Sequence, residues 1–228
     1  MSKTLQELLD QTKIDLGDPA SVHFTSAHVE QWLRDAIGDY SLHFPQFQSD
    51  SLNAVAGQHE YDLPADLLAV YSVEYPAGQT PRVYLQRRPA TQPGFWERPG
   101  YYDLYPRADD TDPDQLVLSA SPSAGESINV NYLARHDKEV ALGAAVTAPS
   151  QHHHILRAYV LWRGALQQQF AEQSAPTANS SLLMSQLAVN ADRLRRAYVD
   201  LLAKAVFVQS RAAAVSWQES SAEASRIY

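Results

Sequence analysis

The sequence predicts an α+β protein. A helical bundle is formed by the N- and C-terminal helices, with an antiparallel β-sandwich or barrel-like domain inserted between them. Three observations carry this. Residues 1 to 45 place apolar side chains at helical spacing. Residues 50 to 135 switch to short alternating runs punctuated by proline and glycine. From residue 149 the helical spacing returns. The expected divisions are 1–48 (N-terminal helices), 49–148 (β domain), 149–208 (C-terminal helices) and 209–228 (a tail).

The first helix starts at Thr4, whose hydroxyl and the Glu7 carboxylate three residues on form a capping box. Leu5, Leu8, Leu9, Thr12 and Leu16 share one face, and Gly17 suits the stop. The second helix starts near Thr25, with Phe24 and Val29 spaced as a hydrophobic staple. Val29, Trp32, Leu33, Ala36, Ile37, Tyr40 and Phe44 make its apolar stripe, and Pro45 ends it.

Seven runs then read as strands: SLNAVA, HEYDL, LAVYSVEY, RVYLQR, YYDLY, QLVLSA and SINVNYL. Pro149 and Ser150 stand at the next helix start, and Ile155, Ala158, Tyr159, Trp162, Ala165, Leu166 and Phe170 trace one face. The last helix has a heptad-like seam in which Met184, Ala191, Tyr198 and Ala205 alternate with Leu187, Leu194, Leu201 and Val208. The tail beyond is polar, with isolated Trp217, Ile227 and Tyr228.

Composition narrows the chemistry. The 228 residues include no cysteine, which removes disulfides, thiolate metal sites and a cysteine nucleophile. A net charge of −8 argues against tight binding to nucleic-acid phosphates, though not against a surface past which DNA slides. The N-terminus has no apolar signal-peptide core, and no run approaches the ~20 apolar residues of a membrane span. A soluble protein made inside a cell, with no membrane partner, is expected.

The run His152–His153–His154 invites a metal reading. On a helix, however, consecutive residues point about 100° apart and cannot share one ion. They are expected to be polar residues of a first helical turn. Glu60, Asp62, Glu74 and Asp103 could pair as hydrolytic carboxylates, but solvated strand faces explain them as well. Nucleophile-elbow and phosphate-loop patterns are absent. No catalytic residue, cofactor or metal is assigned, and the protein is not expected to be an enzyme.

Two surfaces stand out. Phe95, Trp96 and Tyr101 lie in the aromatic stretch 92–106, which could serve a carbohydrate- or receptor-binding module, or simply the domain's core. Arg82, Arg87, Arg88, Arg98 and Arg107 cluster in an otherwise acidic chain and could dock an acidic partner.

The ordered motifs resemble the head-to-tail adaptor (connector) proteins of tailed bacteriophages. The opening Leu16–Gly17–Asp18, then Phe24–Thr25, Val29, Trp32, Leu33 and Ala36, is similar to that family's N-terminal pattern. YDLPADLLAVYSVEYP resembles its strand–turn–strand element, and LLMSQLAVNADRLRRAYVDLLAKA its closing helix. The resemblance implies a structural virion protein at the head–tail junction, made in the host cytoplasm. Such a protein forms a homo-oligomeric ring, usually of twelve copies, between portal and tail. It extends the channel through which DNA passes without specific binding, and it gives the tail nozzle or tube a platform. It further suggests an inter-subunit helix seam at Ala191, Leu194, Tyr198, Leu201 and Ala205. A tail at Trp217, Ile227 and Tyr228 would dock on the portal or a neighbour, and Arg82, Arg87, Arg88 and Arg98 would form a tail-docking surface.

Overall fold

A computed structural model describes residues 2–106, 114–174 and 180–224, with side chains in the last stretch described for 181–208. Helices and strands follow in the order α1 (Leu5–Asp15), α2 (Ser26–His43), β1 (Gln46–Asn53), β2 (Glu60–Asp62), β3 (Leu67–Glu74), β4 (Gln86–Arg87), β5 (Tyr101–Tyr105), β6 (Gln115–Leu118), β7 (Ser127–Ala134), α3 (His153–Ser174) and α4 (Ser180–Ala224). Two compact units result: Met1–Phe44 with His136–Tyr228, and Pro45–Arg135. The first is helical and the second is the inserted β unit, so the α+β architecture holds.

In the helical unit the local signals act as expected. The Glu7 N–H donates to Thr4 Oγ1 at 3.1 Å, and the Thr4 N–H donates to Glu7 Oε2 at 2.9 Å, which closes the capping box. Gly17 takes φ +71, a left-handed turn that suits glycine, just after α1 ends. Every residue of the α2 stripe is buried, and Phe24 meets Trp32 edge-on at 5.4 Å. α3 packs on α1 and α2 with one face and on α4 with another. That is why the buried set of α3 is His153, Ile155, Leu156, Val160, Gly164 and Ala165, while Ala158, Tyr159 and Trp162 are half-covered.

The segment 136–148, assigned to the β domain from the sequence, lies with the helices. Val140, Val146 and Ala148 join the helical core. Its backbone also binds the N-terminus: Leu5 N–H donates to Ala144 O at 3.1 Å and Val146 N–H to Lys3 O at 3.0 Å. The supposed tail differs too, because α4 runs on as helix to Ala224. At 1.5 Å per residue its 45 residues extend about 67 Å, against about 33 Å for the 22 of α3.

The β unit holds two sheets, ordered β1-β7-β3 and β2-β6-β5-β4, with every pairing antiparallel except β4 with β5. Tyr61, Tyr102, Leu116 and Leu118 of one sheet share a core with Val73, Ile128, Val130 and Tyr132 of the other. This is a sandwich, and no closed barrel forms among the described residues. β7 is the central strand, and its burial alternates as the sequence INVNYL predicts. Two runs were placed inaccurately. β1 begins at Gln46 rather than Ser51, and RVYLQR contributes only Gln86–Arg87 plus a bridge from Tyr84 to Glu74.

Candidate functional site

The turn between α1 and α2 is built on one carboxylate. Asp18 is buried and accepts the backbone N–H groups of Val22 (2.7 Å), His23 (2.8 Å) and Phe24 (2.7 Å). Its burial works against the charged form, but the three donors outweigh it and hold the carboxyl below its ordinary value. This cradle delivers Phe24 into the core, so the Leu-Gly-Asp stretch earns its place structurally. Because the folded pKa is depressed, the contribution is whole above about 3.8 and is lost as pH falls through the lowered value. Asp18→Asn is therefore expected to lower the thermal midpoint at pH 7 and to lessen the difference between pH 7 and pH 3. An unchanged midpoint at pH 7 would contradict this.

The histidine run separates into three environments. His152 ends a 3-10 turn at Ser150–His152, and its Nδ1 lies 2.6 Å from the Tyr40 hydroxyl. His153 is buried, with Nε2 3.0 Å from Ala148 O and Nδ1 without a partner among the described residues. His154 is exposed. The three do not converge, and no group of histidines and carboxylates in the described residues is placed to hold a metal.

His136 completes the buried set. Its backbone N–H donates to Ser41 Oγ at 2.9 Å, while Nδ1 lies 2.8 Å from Thr147 Oγ1 and Nε2 2.9 Å from Phe44 O. Tyr40 stacks on Phe44 at 4.8 Å and meets both His136 and His152. Burial pushes the Tyr40 hydroxyl up to about 12.

Burial lowers all three histidines below 6.5: His136 despite the Phe44 carbonyl, His152 helped by its neighbouring histidines, and His153 despite the Ala148 carbonyl. Their neutral forms stabilise the fold fully above about 6.5, and that contribution is lost as pH falls from there through the lowered folded values. Urea midpoints are expected to drop between pH 7.5 and pH 5, before the carboxylates titrate. A flat profile over that window would contradict the assignment.

The carboxylates considered for hydrolysis are structural or solvated. Glu74 is buried and accepts the Gly78 N–H at 2.9 Å, and Asp103 accepts the N–H of Ala90 at 2.7 Å. Glu60 and Asp62 are exposed on β2, and Asp62 accepts from Gln115 at 3.2 Å. An apolar cavity of about 340 Å³ opens in the β unit beside Tyr75, Pro76, Val83, Leu85, Tyr101 and Leu118, and among the described residues its walls hold no carboxylate, histidine or lysine.

The aromatic stretch divides as well. Phe95 is buried with Ala90 and Val117, Trp96 is exposed beside His59, and Tyr101 lies under the Arg88 guanidinium at 5.0 Å. These rings do not form one open platform for a sugar. Among the arginines, Arg82, Arg87 and Arg98 are exposed. Arg88 is half-buried and spends its donors on Gln92 (3.1 Å) and Pro93 O (2.8 Å). Arg107 lies outside the described residues.

The seam of α4 is used within the chain. Ala191 and Tyr198 are buried, and Leu194, Leu201 and Ala205 are half-buried. Tyr198 stacks on Trp162 at 6.2 Å, meets Tyr159 edge-on at 5.4 Å, and donates its hydroxyl to the Asp39 carboxylate. Burial, then that carboxylate, raises the Tyr198 pKa strongly. The resemblance suggested this seam as inter-subunit, and heptad spacing by itself does not distinguish a neighbouring chain from a neighbouring helix. Trp217 lies on α4, but its side chain is outside the described residues, as are Ile227 and Tyr228 altogether.

The described residues thus build a helical unit with an inserted sandwich and a long final helix, and their buried polar groups serve the fold. The model of the SU10 adaptor protein family matches residues 3–218, and the chain belongs to that family of phage head–tail adaptors. It is a structural protein of a bacteriophage. No curated protein matches it. No helix among the described residues is long and apolar enough to cross a membrane.

Proposed function

We propose that the protein forms a ring, of about twelve copies in keeping with the family it resembles, between the portal and the tail. The ring continues the DNA channel and offers the tail nozzle a platform. The observation that carries this reading is the family match over residues 3–218, nearly the whole chain. A net charge of −8 supports a channel that DNA crosses without sticking. The length of α4, which includes Trp217 and precedes Ile227 and Tyr228 in sequence, supports a reach toward the portal. Exposed Arg82, Arg87 and Arg98 support a docking surface on the β unit.

Native mass spectrometry of the purified protein, alone and mixed with the portal protein of the same virion, tests the proposal. Closed rings, alone or on the portal, are expected. A chain ending at residue 208 is expected to lose portal binding. Full portal binding by that shortened chain would remove the docking role of the α4 end.

A further inference from the structure

We propose that copies of this chain join by sheet extension, strand β1 of one copy pairing antiparallel with the Arg82–Tyr84 segment of the next. The inference deepens the ring reading and rests on it for the closure of the assembly.

β1 pairs with β7 in unbroken register over eight residues, without bulge, proline or lysine. Proteins normally blunt such an edge. Ala54 N–H donates to Glu126 O at 2.9 Å, and antiparallel pairing alternates, so Gln46, Gln48, Asp50 and Leu52 turn their backbone groups to β7. Those of Phe47, Ser49, Ser51 and Asn53 point away from the sheet. The Ser51 N–H is taken by the Asp50 carboxylate at 2.9 Å, and all four residues are exposed.

The opposite edge of the same sheet is different. β3 carries two register shifts, and the following segment covers its end: Leu85 N–H donates to Val73 O at 2.8 Å and Tyr75 N–H to Val83 O at 3.0 Å. By the same alternation Arg82 and Tyr84 turn their N–H and C=O groups outward. This segment is antiparallel to β3, and β3 and β1 are both antiparallel to β7. The segment therefore runs opposite to β1. Two copies set side by side in the same orientation would offer an antiparallel pair, a heterologous contact of the kind a ring needs.

The side chains agree with the backbone. Ser51, Asn129, Glu74 and Tyr84 form one row across the sheet, which puts Tyr84 on the same face as Phe47. Phe47 is 61% exposed and Tyr84 49%, two aromatic rings at opposite edges that pairing would bring together. The edges also differ in charge: β1 carries Asp50 and no lysine or arginine, while the Arg82–Tyr84 segment carries exposed Arg82 and no carboxylate.

The absence of cysteine makes the test clean. Tyr84→Cys is combined in turn with Phe47→Cys, Ser49→Cys and Ser51→Cys. Each double variant is treated with a short bis-maleimide under assembling conditions, alone and with portal protein. One register is expected to give a ladder of covalent multimers, and the single variants none beyond a dimer. Separately, Ser49→Pro removes an outward N–H that no partner among the described residues uses. It is expected to keep the thermal midpoint within a few degrees and to cut assembly at least tenfold. Rings that form without any ladder, and that Ser49→Pro leaves intact, would overturn sheet extension while sparing the ring. A ladder of open, unlimited length would keep the contact and overturn the ring. A chain that remains monomeric under every condition would overturn both.

Discussion

Gly164→Leu is expected to destabilise the helical unit by about 3 kcal/mol, the upper range for overpacking a well-filled core. α3 crosses the α1–α2 connection at Gly164, where an added Cβ would stand 2.7 Å from Leu16 Cδ2 and 3.7 Å from Trp32 Cζ3. The close approach is what lets Leu16, Phe24 and Trp32 seat against α3. Gly164→Ala is a milder case. Alanine gains about 1 kcal/mol of helix propensity, and Leu16 can yield at its flexible end, so the two terms nearly cancel. Urea unfolding of both variants checks the pair. Leucine tolerated as well as alanine would mean that α3 does not pack there.

Tyr198→Ala is expected to destabilise the monomer by about 3–5 kcal/mol, as for other buried aromatic truncations. The ring lies between Trp162 and Tyr159, and its hydroxyl satisfies Asp39, so α4 loses its main anchor on α2 and α3. Tyr198→Phe keeps the ring and is expected to lose about 1 kcal/mol through the hydrogen bond alone. The measurement separates two uses of the seam. If Tyr198 served chiefly a neighbouring subunit, Tyr198→Ala would leave monomer stability nearly unchanged and abolish assembly. The intramolecular packing predicts the reverse order, with stability failing first.

How far the sequence could be read depends on whether an element meets one neighbour or several. α2 shows a single stripe from Val29 to Phe44 because one face is buried, and its cap and stop residues are unambiguous. α3 was harder, since it is covered on two sides. Its sequence reading traced Ile155, Ala158, Tyr159, Trp162, Ala165, Leu166 and Phe170 as one face and passed over Leu156 and Val160. Gln46–Asp50 escaped because an exposed edge strand reading QFQSD lacks the apolar alternation that marks a half-buried one. Pairing with β7 is what makes it a strand, and that is non-local information.

The roles of buried polar groups were equally hidden. His136 acts through atoms brought together only by the fold, the Phe44 carbonyl among them, whereas Asp18 and His153 bond backbone groups within six residues in local turns that no motif marks. The histidine run drew attention by composition, yet its rings lie apart: His152 against Tyr40, His153 against the Ala148 carbonyl and His154 exposed. Order along the chain carried the family resemblance, which survives degenerate motifs because it depends on which element follows which.

The most direct test of the central claim is electron cryomicroscopy of the intact virion neck, with this chain fitted between portal and tail. The account predicts a closed ring of this protein at that level. A neck in which this chain is absent, or present only as isolated copies elsewhere on the tail, would contradict it.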